Sequence, residues 1–334
     1  MITDADVIRC KVSPRNPFEV ETLPFLARLF ETAFRPRRRV SKRFIGKPAK
    51  RIFRLLMALG VTGTGRARVE TPTGSRTITF SARNTQFGAL YMPQSKPVYE
   101  PETSALLDRL VGDGDVFFDV GANWGWYSVL IASRAAFHGA VHAFEPFPST
   151  FADLVSVVRQ AGLDDRIACH DVALAERDGE AEMAFPDGVQ SGLARLGEKG
   201  GVPVKLARLD DMSLATPTAI KIDAEDHEFE VLEGAAAIID GARPFIVLEN
   251  WLHDENPRLT IAPLALLAAR RYRFYFPGWV RGDPDCVLSD PGASSELALV
   301  PFLAAQRFQL PTQMNVIAVP VERTDEFRRR VGGD

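Results

Sequence analysis

The fold is set by residues 116–125, which read Val116-Phe117-Phe118-Asp119-Val120-Gly121-Ala122-Asn123-Trp124-Gly125. A short apolar run that ends in a glycine-containing turn predicts a buried parallel strand, then a loop and a helix. Gly121 has no Cβ, so the backbone can turn tightly there and approach a ligand closely. Gly125 lets the next helix begin near the same point, with its N-terminal amides facing a polar group.

The segments around this motif predict a doubly wound α/β fold. Short apolar strands alternate with helices, which is typical of βαβ units on a parallel sheet. The strands are expected at residues 116–120, 140–144, 166–174, 219–223, 245–249 and 315–319, and the helices at 127–136, 149–161, 228–239 and 261–272. A hairpin is expected at 66–83, and the Gly, Pro, Asp and Ser of residues 277–296 predict a long loop.

The composition indicates a globular protein with reduced thiols. Of the 334 residues, 46% are hydrophobic and 25% charged, and the net charge is −3. This small charge creates no field that would attract nucleic acid, so no nucleic-acid partner is expected. No apolar run reaches the roughly 20 residues of a membrane-spanning helix, and residues 1–6 lack the apolar core of a secretory signal. Cys10, Cys169 and Cys286 are widely spaced, so neither a disulfide framework nor a zinc site is expected, and a cytoplasmic location is predicted.

The first part of the chain differs from the rest. Residues 1–65 are expected to form a basic, partly helical extension to a main domain at 66–334, whose core lies at 99–320. Residues 35–54 contain ten Arg or Lys and no Asp or Glu. Such a stretch could lie on an anionic membrane surface or contact a phosphate-rich substrate. Gly46 and Pro48 interrupt the helical period, which favours an extension packed against the main domain instead.

Acidic residues at the strand ends indicate which ligand the glycine turn binds. Glu145 ends the second strand, where a carboxylate can accept hydrogen bonds from ribose hydroxyls. Both nicotinamide dinucleotides and S-adenosylmethionine use such a pairing. A dinucleotide site has the pattern G-x-G-x-x-G, and glycine is absent at Asn123 and Ser128. Asp119 would repel a pyrophosphate but could hold the ammonium of a methionyl group, so S-adenosylmethionine is favoured.

Several blocks of sequence, in order, resemble the FkbM family of methyltransferases over residues 99–320. The matching blocks are Tyr99-Glu100-Pro101-Glu102, residues 118–125, Ala143-Phe144-Glu145-Pro146, Ala173-Leu174, Leu209-Asp210-Asp211, Ile220-Lys221-Ile222-Asp223-Ala224-Glu225, residues 230–235 and Val247-Leu248-Glu249. The resemblance implies a class I methyltransferase fold, a Rossmann-like, seven-stranded, mostly parallel sheet with helices on both faces and an antiparallel last strand. It also implies O-methylation, commonly of sugar or natural-product hydroxyls.

The resemblance also assigns residues to the cofactor. Asp119, Gly121 and Asn123 would line the methionyl end, Glu145 would bind the ribose, and Asp171 and Val172 would flank the adenine. Tyr99 and Glu100 would approach from the segment before the first strand, and Ala122, Gly125 and Pro146 belong to the two cofactor motifs. The family usually has glycine after the acid of the fourth-strand motif, whereas here Asp226 and His227 follow Glu225.

Three residues are candidates for the catalytic base. Methyl transfer to a hydroxyl requires alignment of oxygen, carbon and sulfur, and removal of the hydroxyl proton. Asp223 and Glu249 end the fourth and fifth strands, and His227 follows shortly after the fourth. An imidazole, with an ordinary pKa of about 6.5, suits a base near neutral pH. Asp223 with Glu249 and Asn250 could instead bind magnesium, as in catechol-type O-methyltransferases, although the family resemblance does not call for a metal.

The sequence therefore favours an S-adenosylmethionine-dependent O-methyltransferase that acts on a small-molecule or glycan hydroxyl. A nicotinamide-dependent oxidoreductase is one alternative, although it predicts the glycine that the turn lacks. A non-catalytic module that keeps the cofactor fold is another. Acids at the ends of the first, second, fourth and fifth strands argue against decay of the site.

Overall fold

The computed structural model describes residues 7–27, 55–56, 59, 61–91, 98–184, 195–196, 201–281, 283–288 and 296–332. Its strands are, in chain order, β1 (Ile8–Lys11), β2 (Phe18–Thr22), β3 (Thr64–Thr71), β4 (Gly74–Ser81), β5 (Val116–Val120), β6 (Ala140–Phe144), β7 (Ile167–His170), β8 (Ala173–Leu174), β9 (Gly179–Ala184), β10 (Arg195–Leu196), β11 (Val202–Ala207), β12 (Ala219–Ile222), β13 (Phe245–Trp251), β14 (Tyr272–Arg281), β15 (Asp283–Leu288), β16 (Glu296–Phe302) and β17 (Gln313–Pro320). Its α-helices are α1 (Gly88–Tyr91), α2 (Pro101–Leu110), α3 (Trp126–Ala132), α4 (Pro148–Ala161), α5 (Glu228–Gly234), α6 (Ala236–Ala242), α7 (Pro257–Ala269) and α8 (Thr324–Gly332). Among the described helices, none is long and apolar enough to cross a bilayer.

The main sheet is mixed, with the parallel strands and the antiparallel last strand that the class I fold implies. Its ten strands run β7-β6-β5-β12-β13-β17-β14-β16-β1, with β15 paired to β14. Neighbours from β7 to β13 are parallel, and β17 is antiparallel to both β13 and β14. The parallel strands and the antiparallel β17 thus confirm the expected class I fold, although the sheet has ten strands in the described part of the chain. Three further strands, β1, β15 and β16, extend the sheet beyond the expected seven.

Apolar residues cover both faces of the parallel strands, as a sheet enclosed by helices requires. Helices α2, α3, α4 and α8 contribute side chains to the core cluster on one face. Helices α5, α6 and α7 contribute to the cluster on the other face. All four residues of β12 are buried, although one of them is Lys221. The carboxyl ends of these strands are therefore the place where polar side chains meet.

Two predicted elements in the middle of the chain are divided in the structure. The strand predicted at 166–174 becomes β7 and β8, and β8 pairs with β11 in a separate sheet of order β10-β9-β11-β8. Strand β9 of that sheet buries none of its six side chains, so its sequence has little hydrophobic period to detect. The helix predicted at 228–239 becomes α5 and α6, because the chain breaks at Ala235.

The loop predicted at 277–296 is wrong where the structure describes this segment. β14 continues to Arg281, β15 covers Asp283–Leu288, and β16 begins at Glu296. On one side of β14, the ladder with β17 ends at Tyr275 and the ladder with β15 begins at Trp279. Pro277 lies in the gap between these two ladders, so no neighbouring strand on that side requires the N–H that proline lacks. The helix predicted at 261–272 is α7, which ends before β14 starts.

The first residues of the chain contribute strands to two sheets. β1 pairs with β16 at the edge of the main sheet. β2 pairs with β3, and β3 and β4 form the hairpin predicted at 66–83. The basic stretch at 35–54 lies outside the described residues.

Candidate functional site

Most of the predicted site residues line one cavity of about 300 Å³ at the carboxyl ends of β5, β6, β12 and β13. The predicted residues in its lining are Tyr99, Glu100, Asp119, Gly121, Ala122, Asn123, Glu145, Pro146, Val172, Asp223, His227 and Glu249. Gly125 and Asp171 are not part of this lining. Gly125 faces Leu154 of α4, and Asp171 is exposed to solvent.

The turn after β5 requires glycine at position 121. Gly121 has a φ of 73°, in the left-handed region that favours glycine. A Cβ there would lie 1.8 Å from the carbonyl oxygen of Asp223. The backbone N–H of Asp223 in turn donates to the carbonyl of Val120 at 3.0 Å. The end of β12 therefore crosses directly over the turn, and both contribute to the cavity.

The amides of this turn are already satisfied within the protein. The N–H groups of Gly121 and Ala122 donate to the carbonyl of Phe144, both at 3.0 Å, and that of Gly125 donates to the carbonyl of Ala122. The N–H of Asn123 donates to Glu145, and that of Trp124 donates to the side-chain oxygen of Asn123. A pyrophosphate is bound through free amides of such a turn. This turn therefore does not present the donors that a dinucleotide site needs.

Asp119 joins the end of β5 to the start of α3. One oxygen of the buried carboxyl group accepts hydrogen bonds from the backbone N–H of Ser128 at 3.0 Å and from its hydroxyl at 2.6 Å. Burial raises the pKa of Asp119 to about 6, although the bonds from Ser128 and the charge of Lys221 act in the opposite direction. Asp119 thus supplies negative charge to the inner wall of the cavity at neutral pH.

Glu145 is held rigidly at the end of β6. One oxygen accepts from the N–H of Asn123 and the other from the N–H of Phe147, each at 2.9 Å. Burial raises the pKa of Glu145 to about 7, although both hydrogen bonds lower it. A carboxylate offers about four acceptor positions, so about two remain for a ligand. Glu145 can therefore receive a pair of neighbouring hydroxyl groups.

A buried lysine organises the acids at the ends of β12 and β13. The Nζ of Lys221 lies 3.2 Å from a carboxylate oxygen of Asp223. Burial alone would lower the pKa of Lys221, but the carboxylates of Asp223, Glu100, Glu249 and Asp119 outweigh burial and raise it. Lys221 therefore stays charged and balances part of the negative charge around it.

Glu249 is protonated more readily than an ordinary glutamate. Burial and the nearby charge of Asp223 raise its pKa, and the two carboxyl groups share a hydrogen bond. Gln313 also donates to Glu249 at 2.5 Å. A carboxyl group that holds its proton at neutral pH is a poor general base, so Glu249 is the weakest of the three predicted candidates.

Tyr99 and Glu100 reach the cavity from the segment before α2. One oxygen of Glu100 accepts from the hydroxyl of Tyr127 at 2.6 Å and from the side-chain N–H of Asn315 at 2.8 Å. The charge of Glu100 and burial hold the pKa of Tyr99 well above its ordinary value. Both tyrosines in this wall therefore remain neutral phenols.

The loop after β12 adopts the backbone conformation that the family's glycine would favour. Glu225 and Asp226 have φ values of 49° and 77°. The carboxylate of Asp226 lies 2.9 Å from Nε2 of His253, which follows β13. The buried Glu228 accepts from the N–H of Ala224 at 2.9 Å, and burial raises its pKa to about 7. Two contacts thus hold this loop despite the absence of glycine.

His227 stands at the start of α5 beside an unsatisfied acceptor. Its Nδ1 lies 3.9 Å from one oxygen of Glu230. That oxygen is buried and has no hydrogen-bond partner among the described residues. A proton taken up by the imidazole would be stabilised by this carboxylate, so His227 can accept a proton from a ligand in the cavity.

The residues do not fit the magnesium hypothesis. That hypothesis needs the side-chain oxygen of Asn250 beside Asp223 and Glu249. Instead, the side-chain oxygen of Asn250 accepts from the buried Arg307, and its amide donates to the carbonyl of Thr260 at 2.9 Å. The ammonium of Lys221 already lies 3.2 Å from a carboxylate oxygen of Asp223, so a metal ion would have to compete with Lys221 for that carboxylate.

Several further residues line the cavity, among them Lys221, Trp251 and Gln313. From the sequence, Trp251 is a candidate for the acceptor site because it follows a strand end, and Lys221 is interpreted as a structural partner of a carboxylate, whereas nothing in the pattern indicates Gln313. The alternation of strand residues cannot reveal that Lys221 is charged in a buried position. Gln313 begins β17, and its place beside Glu249 follows only from the antiparallel pairing of β17 with β13.

Comparison with known proteins agrees with this site. Residues 119–274 match the methyltransferase FkbM domain. The hexuronic acid methyltransferase AglP of Haloferax volcanii is 25% identical over 154 residues, which are 45% of this chain and 62% of that protein. The chain thus spans less than two thirds of the length of this relative.

Two solved structures are also similar. The methyltransferase FkbM of Methylobacillus flagellatus is 21% identical, with 56% of this chain and 44% of that chain covered and a TM-score of 0.37. A SAM-dependent O-methyltransferase of Thermotoga maritima is 14% identical, with 76% and 77% covered and a TM-score of 0.38. Residues 119–274 therefore carry an S-adenosylmethionine-dependent methyltransferase domain of the FkbM type.

Proposed function

We propose that this protein transfers a methyl group from S-adenosylmethionine to a hydroxyl oxygen of a sugar, a glycan or a natural product. The observation that carries the proposal is that Glu145, after β6, and His227, after β12, line the same cavity on either side of β5. One side can bind the ribose of the donor, and the other can take a proton from the acceptor. The activity named for the AglP relative supports a sugar acceptor.

The residues of the cavity fit the donor. Glu145 retains acceptor capacity for the two ribose hydroxyls, and Val172 after β7 provides an apolar wall for the adenine. Asp119 and Asp223 place negative charge near the positively charged methionyl end. When bound, S-adenosylmethionine supplies an activated methyl group, so the protein has to align the acceptor oxygen and remove its proton.

We propose His227 as the base and Asp223 as the residue that orients the acceptor hydroxyl. The hydroxyl proton moves to the imidazole, and Glu230 then pairs with the imidazolium at the unsatisfied oxygen described above. Asp223 is held by Lys221 and by Glu249, so its carboxylate is positioned to accept a hydrogen bond. Glu249 keeps Asp223 in place rather than taking the proton itself.

Replacement of His227 by glutamine should lower kcat by about 10²- to 10⁴-fold, because that is the usual contribution of a positioned base. The dissociation constant of S-adenosylmethionine should change by less than about twofold, since that ligand contacts the other residues. The measurement is transfer of labelled methyl to acceptors in an extract of the native host, with His138→Gln as a control at an exposed histidine. Full kcat in His227→Gln, together with a large loss in Asp223→Asn, would assign the base to Asp223.

Replacement of Glu145 by glutamine should weaken binding of S-adenosylmethionine about 10- to 100-fold. A hydrogen bond to a charged group contributes roughly 1.5–3 kcal/mol, and glutamine also turns one acceptor into a donor. Since the pKa of Glu145 is about 7, its acceptor capacity falls when the carboxylate is protonated. Binding by the wild type should therefore weaken from pH 8 to pH 6, and the variant should lose most of this dependence. Isothermal titration calorimetry measures both effects, with the exposed Glu180→Gln as control; equal affinities would refute the ribose role.

A titration with both cofactor classes tests the proposal as a whole. S-adenosylmethionine should bind, and NAD⁺ and NADP⁺ should not, because the turn amides are occupied. Labelled methyl should then appear in a product of the host extract. Binding without transfer to any acceptor would favour the non-catalytic module.

Three features of the extension and the environment also remain proposals. A cytoplasmic location fits Cys10 and Cys169, which are free thiols in the described part of the chain. The division at residue 65 can be tested by limited proteolysis of the full chain. A membrane contact through residues 35–54 can be tested by replacing the ten Arg and Lys residues of that stretch with glutamine, which leaves β1 and β2 in place. Full activity of that variant on the native acceptor would contradict a role of the basic stretch in recognition.

A further inference from the structure

A buried arginine holds together the two chain segments that form the acceptor end of the cavity. On the proposed function, the donor occupies the side from β5 to β7, so the acceptor faces the ends of β12 and β13. Trp251 ends β13 and Gln313 begins β17, and both line the cavity. The two residues are opposite each other in the antiparallel ladder of these strands. A contact that fixes this end of the ladder therefore also fixes the acceptor end.

Arg307 makes four hydrogen bonds beside this end of the ladder. Its Nε donates to the side-chain oxygen of Asn250. Its Nη2 donates to the carbonyl of Asn250 at 2.6 Å and to that of Thr312 at 3.2 Å, and Nη1 donates to the carbonyl of Pro311 at 2.8 Å. One guanidinium thus binds the residue that precedes the tryptophan of β13 and the two residues that precede β17.

The bonds of Arg307 fix positions and do not pair charges. The side chain is fully buried, and each of these four acceptors is an uncharged amide oxygen. Burial lowers the pKa of Arg307 to about 10, so the group remains charged at neutral pH. A buried charge that meets neutral groups costs stability, and an apolar side chain of similar length would fill the space at lower cost. A planar fork of donors, in contrast, sets the relative position of several carbonyls at once.

Trp251 is fixed at its backbone, whereas its side chain stays accessible. Its carbonyl accepts a hydrogen bond from the hydroxyl of Thr260 at 2.8 Å. The N–H of Leu252, the next residue, donates to the carbonyl of Thr312 at 2.8 Å. The tryptophan is nevertheless 36% exposed where it lines the cavity. An indole that is already held in place loses little conformational freedom when a ligand covers it, so it binds an apolar surface more strongly.

From these contacts we infer that Arg307 is a positioning residue for the acceptor, because it holds Trp251 as a fixed surface on which a ring or another apolar part of the acceptor lies. The identity of this ligand as the methyl acceptor rests on the proposed function. Arg307 itself does not line the cavity, so it acts through the tryptophan and not by contact with the acceptor.

The variant Arg307→Lys tests the hold on Trp251 without any acceptor. Lysine keeps the positive charge but lacks the planar fork. The other tryptophans of the chain, Trp124, Trp126 and Trp279, are buried, so acrylamide quenches the fluorescence of Trp251 selectively. The difference between each protein and its Trp251→Phe counterpart isolates this signal. We expect the fast component of its time-resolved anisotropy to gain about twofold or more in amplitude, because a released side chain reorients within nanoseconds. An unchanged decay would overturn the inference.

Arg166→Lys is the matched control for this variant. Arg166 also binds three backbone carbonyls, but it does so just before β7 begins and is not part of the cavity lining. Its replacement should leave the anisotropy of Trp251 as in the wild type. Arg307→Met, which removes the buried charge, takes the place of the lysine variant if that variant does not fold. If the Arg166 and Arg307 variants change the signal alike, the effect is a general loosening of the fold and the role assigned to Arg307 is wrong.

A double-mutant cycle tests whether the arginine acts through the tryptophan. With labelled S-adenosylmethionine and the acceptor fraction of a host extract, Trp251→Ala and Arg307→Lys should each raise the acceptor KM about 10-fold, as loss of an aromatic anchor does. The dissociation constant of S-adenosylmethionine should change by less than about twofold in both. The double variant should lose no more than Trp251→Ala alone, because residues that share one contact are not additive.

Two results of this cycle would overturn the inference. One is a double variant whose losses multiply to about 100-fold, since independent sites behave in this way. The other is a loss of donor affinity as large as the rise in acceptor KM. Absence of methyl transfer by the wild type would contradict the proposed function instead, and the anisotropy of Trp251 would still decide whether Arg307 holds it.

Discussion

Replacing Gly121 with alanine should abolish S-adenosylmethionine binding and destabilise the protein by several kcal/mol, which is at the extreme of single substitutions. The added Cβ would lie 1.8 Å from the carbonyl oxygen of Asp223, so the turn or the end of β12 has to move. Movement of either separates the two halves of the cavity. Chemical denaturation and calorimetric titration measure the two effects.

Gly74 provides the matched control for this variant. It also has a positive φ, of 110°, but a Cβ there would meet nothing within 4 Å. Gly74→Ala should therefore lower the free energy of unfolding only by the cost of placing alanine at a positive φ, about 1–2 kcal/mol. Binding of S-adenosylmethionine should be normal in this variant. If both glycine variants behave alike, the close approach to Asp223 is unimportant and the geometry described for the turn is wrong.

Replacing Lys221 with methionine should lower the free energy of unfolding by about 3–5 kcal/mol at pH 8. Removal of one partner leaves buried charge without compensation, and such losses are typically of this size. Lys221 lowers the pKa of both Asp119 and Glu249, so without it these groups are protonated at higher pH. The variant is therefore destabilised most at the pH values at which Asp119 and Glu249 would otherwise be ionised.

The loss of stability in Lys221→Met should depend on pH in one direction. An acid whose pKa is higher in the folded than in the unfolded protein stabilises the fold below the unfolded pKa, and this stability is lost as the pH rises through the folded pKa. The difference between Lys221→Met and wild type should thus shrink from pH 8 to pH 6. Lys205→Met, at an exposed lysine of β11, should be neutral at both values. A loss at Lys221 below about 1 kcal/mol at pH 8 would contradict the role of this lysine as the central cation.

The elements that position the cofactor were predictable because their signals are local. Strand β5 and its turn have an apolar run followed by Gly121, and β12 and β13 are short apolar segments that end in acids. In a parallel sheet such ends lie on one edge, so the meeting of Glu145 with Asp223 and Glu249 followed from the strand order.

Other features depend on contacts that are distant in the sequence. The break between α5 and α6 lies next to Gly234, whose backbone packs on Ala175. A Cβ on Gly234 would lie 1.9 Å from the carbonyl oxygen of Ala175. The division of β7 from β8 depends on pairing with β11, some thirty residues later. The hydrogen-bond partners of Asn250, which removed the magnesium hypothesis, include Arg307 from an element that the sequence pattern did not indicate.

The pairing of β1 with β16 has a consequence for how the protein is made. Ile8 is opposite Leu299, so this ladder joins residues near the two ends of the sequence. During synthesis the ribosome releases β1 long before β16 exists, and contacts of such wide separation form slowly. The nascent chain must therefore carry β1 unpaired until β16 has been made. Until these two strands pair, each of them presents an open edge to other strands.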